Sequence, residues 1–328
     1  MNKDLVQQTR LRIEQADKIM VTAHTRPDGD AIGSVLGLGM ALQAAGKQVQ
    51  MLLADGVPSA LKFLPGSDQI LTKPKGPVDM VIVVDSGDID RVGNVINDVE
   101  HIDVNIDHHP DNTRFAEVNL LDPEAVSTSQ ILAQLLPDLG LELSPTIASN
   151  LLTGLITDTI GFKTENMRPS ALRLAADLFQ AGADLPELYH HAIAEKTFEA
   201  ARYIGAGLSQ LTRQDGIVWT VLSLKDRKES HYPGRDDADL VNILSAIDSA
   251  EVALIFIEQH NNQVKVSWRT RAHEIDVSLA AHKFGGGGHR AAAGAMIDGS
   301  LEDVQAEVLA TTRKILFPNQ EGTDSQVR

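Results

Sequence analysis

Four short runs rich in Val, Ile, Leu and Met follow one another between residues 18 and 109. They are KIMVTAH (18–24), VQMLLA (49–54), VDMVIVVD (78–85) and HIDVNIDHH (101–109), and each has the length and composition of a strand. Between the first two runs, AIGSVLGLGMALQAAG has the apolar period of a helix and closes at Gly46, a residue typical of helix ends. Strands that alternate with helices predict an α/β domain with a mostly parallel sheet and helices on both faces.

The rest of the chain predicts a second domain. Helices are expected at STSQILAQLL, PTIASNLLTGLI and PSALRLAADLFQAG, which each begin with a Ser or Pro start signal. Residues 186–214 have the pattern of one long helical stretch, so we predict a domain over 1–190, a helical linker over 191–214 and a smaller α/β domain over 215–317. In that smaller domain, a strand pair turns at Asn261 and Asn262, and SLEDVQAEVLATTRKIL forms the last helix. Residues 318–328 are predicted to be a disordered tail.

Composition limits the classes of function. No run approaches the roughly 18 apolar residues that cross a bilayer, and the N-terminus lacks the apolar centre of a secretory signal, so we expect a cytoplasmic protein. A net charge of −16 argues against a protein that coats long nucleic acid, but it permits small nucleotides beside bound metal ions. Because the chain has no cysteine, any metal must be held by His, Asp or Glu.

Acidic and imidazole side chains follow the ends of the predicted strands and of one helix. They are His24, Asp28 and Asp30 after the first run, Asp85 after the third, Asp107, His108 and His109 after the fourth, and Asp158 after PTIASNLLTGLIT. Ligands of open α/β sheets bind beyond the carboxyl ends of the strands, so we expect these groups to converge. Carboxylates mixed with imidazoles suit Mn²⁺ and related ions, and their number predicts two metals that share one carboxylate. Such a pair favours hydrolysis of a phosphoester or phosphoanhydride.

Each of these signals also has an ordinary structural interpretation. A single Asp at a strand end more often caps a helix or forms a turn, as Asp85 or Asp158 could do. We interpret the adjacent pair His190 and His191 as surface or packing residues, because they lie in a mixed helical stretch. The acidic and imidazole residues that follow the predicted strands are different, because several segments end at the same edge of one predicted sheet. This placement favours a shared metal site.

The triplet Asp107-His108-His109, with HTRPDGD (24–30) and Asp85 before it and Asp158-Thr159 after it, resembles the DHH phosphoesterase superfamily. That superfamily includes RecJ exonucleases and manganese inorganic pyrophosphatases. The chain is more similar to its small bacterial two-domain members, which are nanoRNases that also act as pAp phosphatases. The resemblance covers about residues 15–315, with the motifs in the expected order.

The resemblance implies a role for each residue. His24 and Asp28 would hold one Mn²⁺, Asp85 would bridge to a second, and the second would be held by Asp30, His108 and Asp158; Mg²⁺ or Co²⁺ are the alternative ions. His109 would face the substrate phosphate, and Asp107 would orient a histidine. One departure concerns the last motif, often Asp-Thr-Gly-x-Phe in this family, because here the glycine comes one place late in DTIGF (158–162).

The segment FGGGGHRAAAGA (284–295) is the second unusual stretch. Consecutive glycines let a backbone approach a ligand closely, although an isolated run is more often a flexible loop. By resemblance, Gly286, Gly287, Gly288 and His289 match the Gly-Gly-Gly-His signature of the DHH-associated domain, which grips the nucleotide. Arg269, and less strongly Arg271, would contact a terminal phosphate or base. Manganese pyrophosphatases lack this loop, so the resemblance implies a nucleotide substrate.

We therefore expect a manganese-dependent hydrolase of very short RNA (nanoRNA), of pAp or of both, which forms a homodimer and binds neither membrane nor long duplex nucleic acid. An alternative within the family is hydrolysis of a cyclic dinucleotide or its linear product. An alternative from another class is a metal-dependent nucleotide sensor without turnover. A single-strand-binding module is disfavoured by the acidic charge and by an aromatic content of 4%.

Overall fold

The chain divides into two units between Glu195 and Lys196 in the computed structural model, which describes residues 2–248 and 250–317. The predicted domain limits stay predictions, and the predicted tail at 318–328 lies outside the described residues. Within the described ranges, no helix combines the length and apolar character that a membrane span requires.

A five-stranded parallel sheet forms the centre of the N-terminal unit, in the order β2-β1-β3-β4-β5. The strands are β1 Lys18–Thr22, β2 Gln48–Leu52, β3 Met80–Val84, β4 Val104–Asp107 and β5 Val118–Leu121. The prediction of a parallel α/β sheet is confirmed. The fifth strand was not predicted, because FAEVNLLD carries only four residues of strand character between polar neighbours.

Six α-helices accompany this sheet. They are α1 Lys3–Gln15, α2 Gly29–Ala44, α3 Thr128–Leu135, α4 Pro145–Asp158, α5 Pro169–Gln180 and α6 Leu185–Tyr189. Side chains alternate along β1, so that Ile19 and Val21 join the core built with the α-helices while Met20 joins a smaller cluster on the other face. That second face is covered in part by Val92, which follows the 3₁₀ turn Ile89–Arg91, and by Val95, which lies within the 3₁₀ turn Asn94–Ile96.

Glycines set the close approach of α2 to α4. Gly29, Gly33 and Gly37 recur every four residues and therefore lie on one face of α2. A Cβ added at Gly33 would lie 2.4 Å from the backbone oxygen of Asn150, and one added at Gly29 would lie 2.3 Å from the Thr157 hydroxyl. The two helices run in opposite directions in near-backbone contact, which brings the N-terminus of α2 beside the C-terminus of α4.

The predicted helical stretch is present, but it is interrupted and does not form one long helix over 186–214. Helix α6 passes into a π-helical turn, His190–Ala194, and the chain is then extended at Glu195. Thr197 starts α7, Phe198–Ser209, because its side chain accepts a hydrogen bond from the N–H of Ala200 and caps the new helix. The last predicted helical residues form strand β6, Thr212–Gln214, which pairs with the next strand.

A six-stranded mixed sheet forms the C-terminal unit, in the order β10-β11-β9-β8-β7-β6. Its other strands are β7 Ile217–Leu222, β8 Val252–Gln259, β9 Gln263–Thr270, β10 Gly287–His289 and β11 Ala292–Asp298. Only β7 and β8 pair in parallel. The predicted hairpin is confirmed, since Asn261 and Asn262 between β8 and β9 both take positive φ, at 64° and 56°.

Helices cover this sheet unevenly. They are α7, α8 Leu224–Ser230, α9 Leu240–Leu244, α10 Ser278–His282 and α11 Leu301–Leu316, the last of which was predicted. One face packs on α10 and α11 around the buried Trp268, and the other packs on α7 and α9. The core beside α7 and α9 draws its strand residues from β7 and β8. The same face of β9, β11 and β10 carries small and polar residues together with the exposed Met296.

Candidate metal centre

The order of the N-terminal sheet changes direction at β1, because β2 and β3 lie on opposite sides of this strand. Ligands of open α/β sheets bind at such a switch point, beyond the carboxyl ends of the strands. Asp85 follows β3, His24 follows β1, and Asp107 ends β4 directly before His108 and His109. The sheet thus delivers these side chains to one edge.

His24 and Asp28 come from the loop between β1 and α2. His24 Nδ1 donates to the Thr25 carbonyl oxygen at 2.8 Å, which leaves Nε2 facing Asp85 Oδ2 at 3.5 Å and Asp28 Oδ2 at 3.9 Å. The other oxygen of Asp28 accepts two backbone N–H groups at 3.0 Å and caps α2. Asp28 therefore acts as a helix cap and still offers one oxygen to the site.

Asp85 lies at the centre of the cluster. Its backbone takes a left-handed conformation, with φ of 52°, which Asp tolerates better than most residues. The carboxylate is buried, accepts from the Thr128 hydroxyl at 2.9 Å, and lies 3.7 Å from His108 Nε2. Burial raises the pKa of Asp85, but the imidazoles of His24, His108 and His109 outweigh burial and hold that pKa below its ordinary value.

Asp30, in the first turn of α2, is also buried. Its carboxylate accepts from the backbone N–H groups of Thr128 at 2.6 Å and Ser129 at 2.9 Å. Both groups lie in the first turn of α3, where backbone N–H groups have no partner within the helix. Burial, together with the charges of Asp85 and Asp158, raises the pKa of Asp30 well above its ordinary value. A cation among these carboxylates would remove that repulsion.

The predicted metal ligands fall into two sets. One ligand atom from each member lies within 4.8 Å of the others in the sets His24, Asp28, Asp85 and Asp30, His108, Asp158. His108 Nε2 links the sets, because it lies 3.7 Å from Asp85 Oδ1 and 3.6 Å from Asp158 Oδ2. Donor atoms bound to one ion at about 2.0–2.2 Å lie roughly 3–4 Å apart, so these separations suit shared cations.

The donor chemistry fits divalent cations. Burial raises the pKa of Asp158 to about 7, and the charges of Asp85 and Asp28 add to that effect. Four carboxylates in the two sets face only two imidazoles, so the cluster carries an excess of negative charge. Carboxylate oxygens mixed with imidazole nitrogens suit Mn²⁺ and related ions, and the residues of this site therefore fit such a metal.

His109 has a different environment. Its Nδ1 donates to Asp107 Oδ1 at 2.7 Å, and Asp107 is buried and also accepts from the Asn112 amide at 2.7 Å. The hydrogen bond to Asp107 raises the pKa of His109 to about 9, against the effect of burial. The imidazole is therefore a cation at neutral pH whose Nε2–H is available as a donor.

The glycine-rich segment of the C-terminal unit forms a strand, whereas we expected a loop. Gly287, Gly288 and His289 make the edge strand β10, which pairs with β11. In the register, His289 pairs with Ala292 and Ala292 with Arg269, so His289 and Arg269 lie in one row on the same face of the sheet. His289 is exposed and Arg269 is half-buried.

Packing explains part of the glycine run. A Cβ on Gly286 would lie 2.2 Å from the oxygen of Gly294, and Gly288 has a φ of 143° with Ala292 oxygen only 2.5 Å from its Cβ position. A Cβ on Gly287 would meet nothing closer than His282 Nε2 at 3.9 Å. The fold therefore requires glycine at 286 and 288 but not at 287. Arg271 lies beyond β9 and is exposed.

Sequence reasoning missed three supporting residues. Thr128 and Ser129 hold Asp30 through their N–H groups, and Thr128 also donates to Asp85. The signal was present, because STSQ starts a helix and a helix N-terminus attracts carboxylates. Asn112 supports Asp107 and lies within the same loop as the histidines, but nothing in its spacing marked it.

Comparison with known proteins identifies both domains of the chain. The N-terminal domain of the DHH family matches residues 18–155, and the DHHA1 domain matches residues 228–316. A Thermus thermophilus protein named bifunctional oligoribonuclease and PAP phosphatase NrnA is 35% identical over 303 residues, which cover 91% of this chain and 90% of the relative. A Mycoplasma genitalium protein of the same name is 28% identical over 337 residues, covering 97% of this chain and 100% of the relative.

A solved structure shares the whole fold. An exopolyphosphatase-related protein from Bacteroides fragilis superposes with a TM-score of 0.87 at 24% identity, and the match covers 96% of this chain and 98% of that protein. The alignment with the 35% identical relative also covers both units, because it includes 91% of this chain and 90% of the relative. The chain therefore belongs to the DHH phosphoesterase family of hydrolases, in the form that joins a DHH domain to a DHHA1 domain.

Proposed function

We propose that the protein is a manganese-dependent phosphoesterase that hydrolyses very short RNA to mononucleotides, dephosphorylates pAp to AMP, or does both. The observation that carries this proposal is the pair of donor sets that His108 links beside the buried Asp85. The names of the relatives from Thermus thermophilus and Mycoplasma genitalium, oligoribonuclease and PAP phosphatase, support the substrate class.

In this proposal, His24 and Asp28 would hold one Mn²⁺, Asp30, His108 and Asp158 would hold the second, and Asp85 would be shared between them. When bound, such a pair of ions activates water and neutralises charge on a phosphoryl group. The protein contributes the rigid placement of the ligands, through the helix cap at Asp28 and the hydrogen bonds from the start of α3 to Asp30.

His109 would contact the substrate phosphate. Asp107 fixes the Nδ1–H of His109, so the Nε2–H can donate to a phosphoryl oxygen or to the departing oxygen of the ester. The side chain is 29% exposed, which leaves the imidazole accessible from solvent. The hydrogen bond to Asp107 raises the pKa of His109, which favours the protonated imidazole.

The C-terminal unit would bind the nucleotide. Arg269 and His289 lie on the sheet face that carries small residues at Ala292 and Gly294, and a flat base can approach the backbone there. Gly286 and Gly288 shape the strand, while Gly287 leaves room beside His289. Arg271, exposed beyond β9, would add positive charge for a phosphate.

One substrate panel tests the function. With Mn²⁺ present, the rates on pAp, a 5′-phosphorylated dinucleotide, a longer RNA, a cyclic dinucleotide and pyrophosphate are compared. We expect turnover of the dinucleotide or pAp, with slow turnover of longer RNA and pyrophosphate. A cyclic dinucleotide as the best substrate would support the alternative within the family, and binding without turnover would support a sensor.

The variant Asp85→Asn tests whether the Asp85 carboxylate is needed for catalysis. Asn keeps the size of Asp and tolerates the left-handed backbone at this position, so the variant should fold. We expect it to lose activity on every substrate of the panel while it remains folded. Substantial residual activity would contradict the bridging role of Asp85.

The homodimer expected from the resemblance stays a prediction, which light scattering on the purified chain can test.

A further inference from the structure

A second cluster of candidate ligands lies outside the centre around Asp85. It contains His190, His191 and Glu195, and one ligand atom of each lies within 4.8 Å of the other two. From the sequence, we interpreted the two histidines as surface or packing residues. The structure adds a carboxylate to them, at the C-terminal end of the N-terminal unit.

The π-helical turn at His190–Ala194 creates this cluster. The N–H of Glu195 donates to the carbonyl of His190 at 2.7 Å, which is the five-residue hydrogen bond of a π turn. That turn brings the side chain of Glu195 near the side chain of His190. In a regular α-helix, two side chains five residues apart are rotated by about 140° around the helix axis and do not meet. Glu195 also lies four residues after His191, so it reaches both histidines.

The side chains are held in place from two sides. Glu195 Oε2 lies 2.6 Å from His191 Nδ1, and the ring of Phe63 lies against the His191 ring with centroids 5.0 Å apart. The two imidazoles meet at 65° with centroids 5.4 Å apart. The hydrogen bond from His191 lowers the pKa of Glu195.

A comparison inside the chain shows what distinguishes this cluster. His101 also lies near two carboxylates, with its Nε2 3.5 Å from Asp103 and 3.6 Å from Glu117. There, Arg12 already binds both carboxylates, at 3.3 Å and 2.7 Å, and supplies the positive charge. At Glu195 the partners that approach the carboxylate are imidazoles, which can bind a cation in their neutral form.

We propose that His190, His191 and Glu195 bind one additional divalent cation of the Zn²⁺ type. Two imidazoles and one carboxylate are a common Zn²⁺ ligand set, and they leave coordination positions for water. Since His191 and Glu195 are 32% and 54% exposed, the ion exchanges directly with solvent. The ion closes the π turn and holds the chain at the point where it leaves the N-terminal unit.

Zn²⁺ itself is the probe for the test. Metal-free wild-type protein and the variants His191→Gln, Glu195→Gln and His101→Gln are dialysed against Zn²⁺, and the bound metal is counted per chain. We expect both His191→Gln and Glu195→Gln to bind one equivalent less than wild type, while His101→Gln keeps the wild-type count. Because the centre around Asp85 is present in all four proteins, its own metal content cancels in the comparison.

Hydrogen exchange gives a readout that does not depend on counting. Zn²⁺ should slow the exchange of amides 190–195 in the wild-type protein and in His101→Gln, but not in the other two variants. If all four proteins bind the same number of ions, or if His101→Gln loses as much as His191→Gln, the proposal is overturned.

Discussion

Replacing Gly154 by alanine tests how helix packing positions the residues of the candidate metal centre. A Cβ at this position of α4 would lie 2.0 Å from Ser129 Oγ and 2.7 Å from Asp30 Oδ1. Ordinary van der Waals contact begins at 3.4 Å, so both atoms must move. Neither moves freely, because Ser129 Oγ is hydrogen-bonded to Ser34 at 3.0 Å and Asp30 is held by the N–H groups at the start of α3.

The size of the effect follows from these contacts. Overpacking of this kind costs about 1–3 kcal/mol, and weakening one hydrogen bond to the charged Asp30 costs about 1.5–3 kcal/mol. Alanine in place of glycine within a helix regains about 1 kcal/mol. We therefore expect Gly154→Ala to lower the free energy of unfolding of the N-terminal unit by about 1.5–5 kcal/mol. Because Asp30 moves, Mn²⁺ affinity should fall by about 10–100-fold.

The matched control is Gly205→Ala. Gly205 also lies inside a helix, α7, but a Cβ there would meet no atom within 4 Å, so only the gain of about 1 kcal/mol in helix propensity should remain. Urea unfolding followed by far-UV circular dichroism reports both units. Tryptophan fluorescence reports the C-terminal unit alone, since the two tryptophans of the chain are Trp219 and Trp268.

We expect Gly154→Ala to shift only the circular dichroism transition, and Mn²⁺ titration calorimetry to show the weaker binding. Removing the clashing side chain in the double variant Gly154→Ala/Ser129→Gly should restore part of the stability. If Gly154→Ala stabilised the chain as Gly205→Ala does, the close packing of α2, α3 and α4 around Asp30 would be refuted.

Three further predictions follow from local geometry. In the metal-free protein, Asp107→Asn should lower the pKa of His109 from about 9 toward its ordinary value, so that the imidazole is mostly neutral at pH 8; an unchanged NMR titration would contradict the role of Asp107. Gly287→Ala should fold normally and weaken nucleotide binding. Gly288→Ala should instead destabilise the C-terminal unit by about 1–3 kcal/mol in urea unfolding. Equal stability of the two variants would count against the packing argument. Ile160 has a φ of 48°, so Ile160→Asn should raise the melting temperature by relieving about 1 kcal/mol of strain, and a lower one would show that Ile160 is not strained.

The strand ends that carry Asp85 and His108 could be predicted from sequence for a physical reason. A buried parallel strand is a continuous apolar run, so its end is visible where a charged residue follows it. Parallel strands share one carboxyl edge, and this geometry places the residues after β1, β3 and β4 together without knowledge of the helices. The convergence of the proposed ligands that follow strands is therefore explained by the local sequence pattern and one topological rule.

Features that depend on pairing between segments could not be predicted in this way. Strand β10 contains Gly287 and Gly288, which have low strand propensity, and it exists because β11 pairs with it. The cluster at Glu195 depends on one π-helical hydrogen bond to His190, and no residue in HHAIAE distinguishes that turn from an α-helix. In both cases the decisive interaction joins backbone groups, which have the same chemistry whatever the side chains are.

Asp30 and Asp158, the proposed ligands on helices, could be predicted only in part from the sequence. The spacing of Gly29, Gly33 and Gly37 shows that one face of α2 has no side chains, but it does not show which helix fills that face. Asp30 lies at the N-terminal end of α2, and Asp158 lies at the C-terminal end of α4. Because α2 packs against α4, both carboxylates lie close to His108. A bulky residue at Gly33 would push the backbone of Asn150 away and separate the two carboxylates, although it touches neither of them. Part of the information for the candidate metal centre therefore resides in Gly33 and Gly37, which lie outside every recognised motif. Variants at Gly33 should lose Mn²⁺ affinity in calorimetry before they lose the fold.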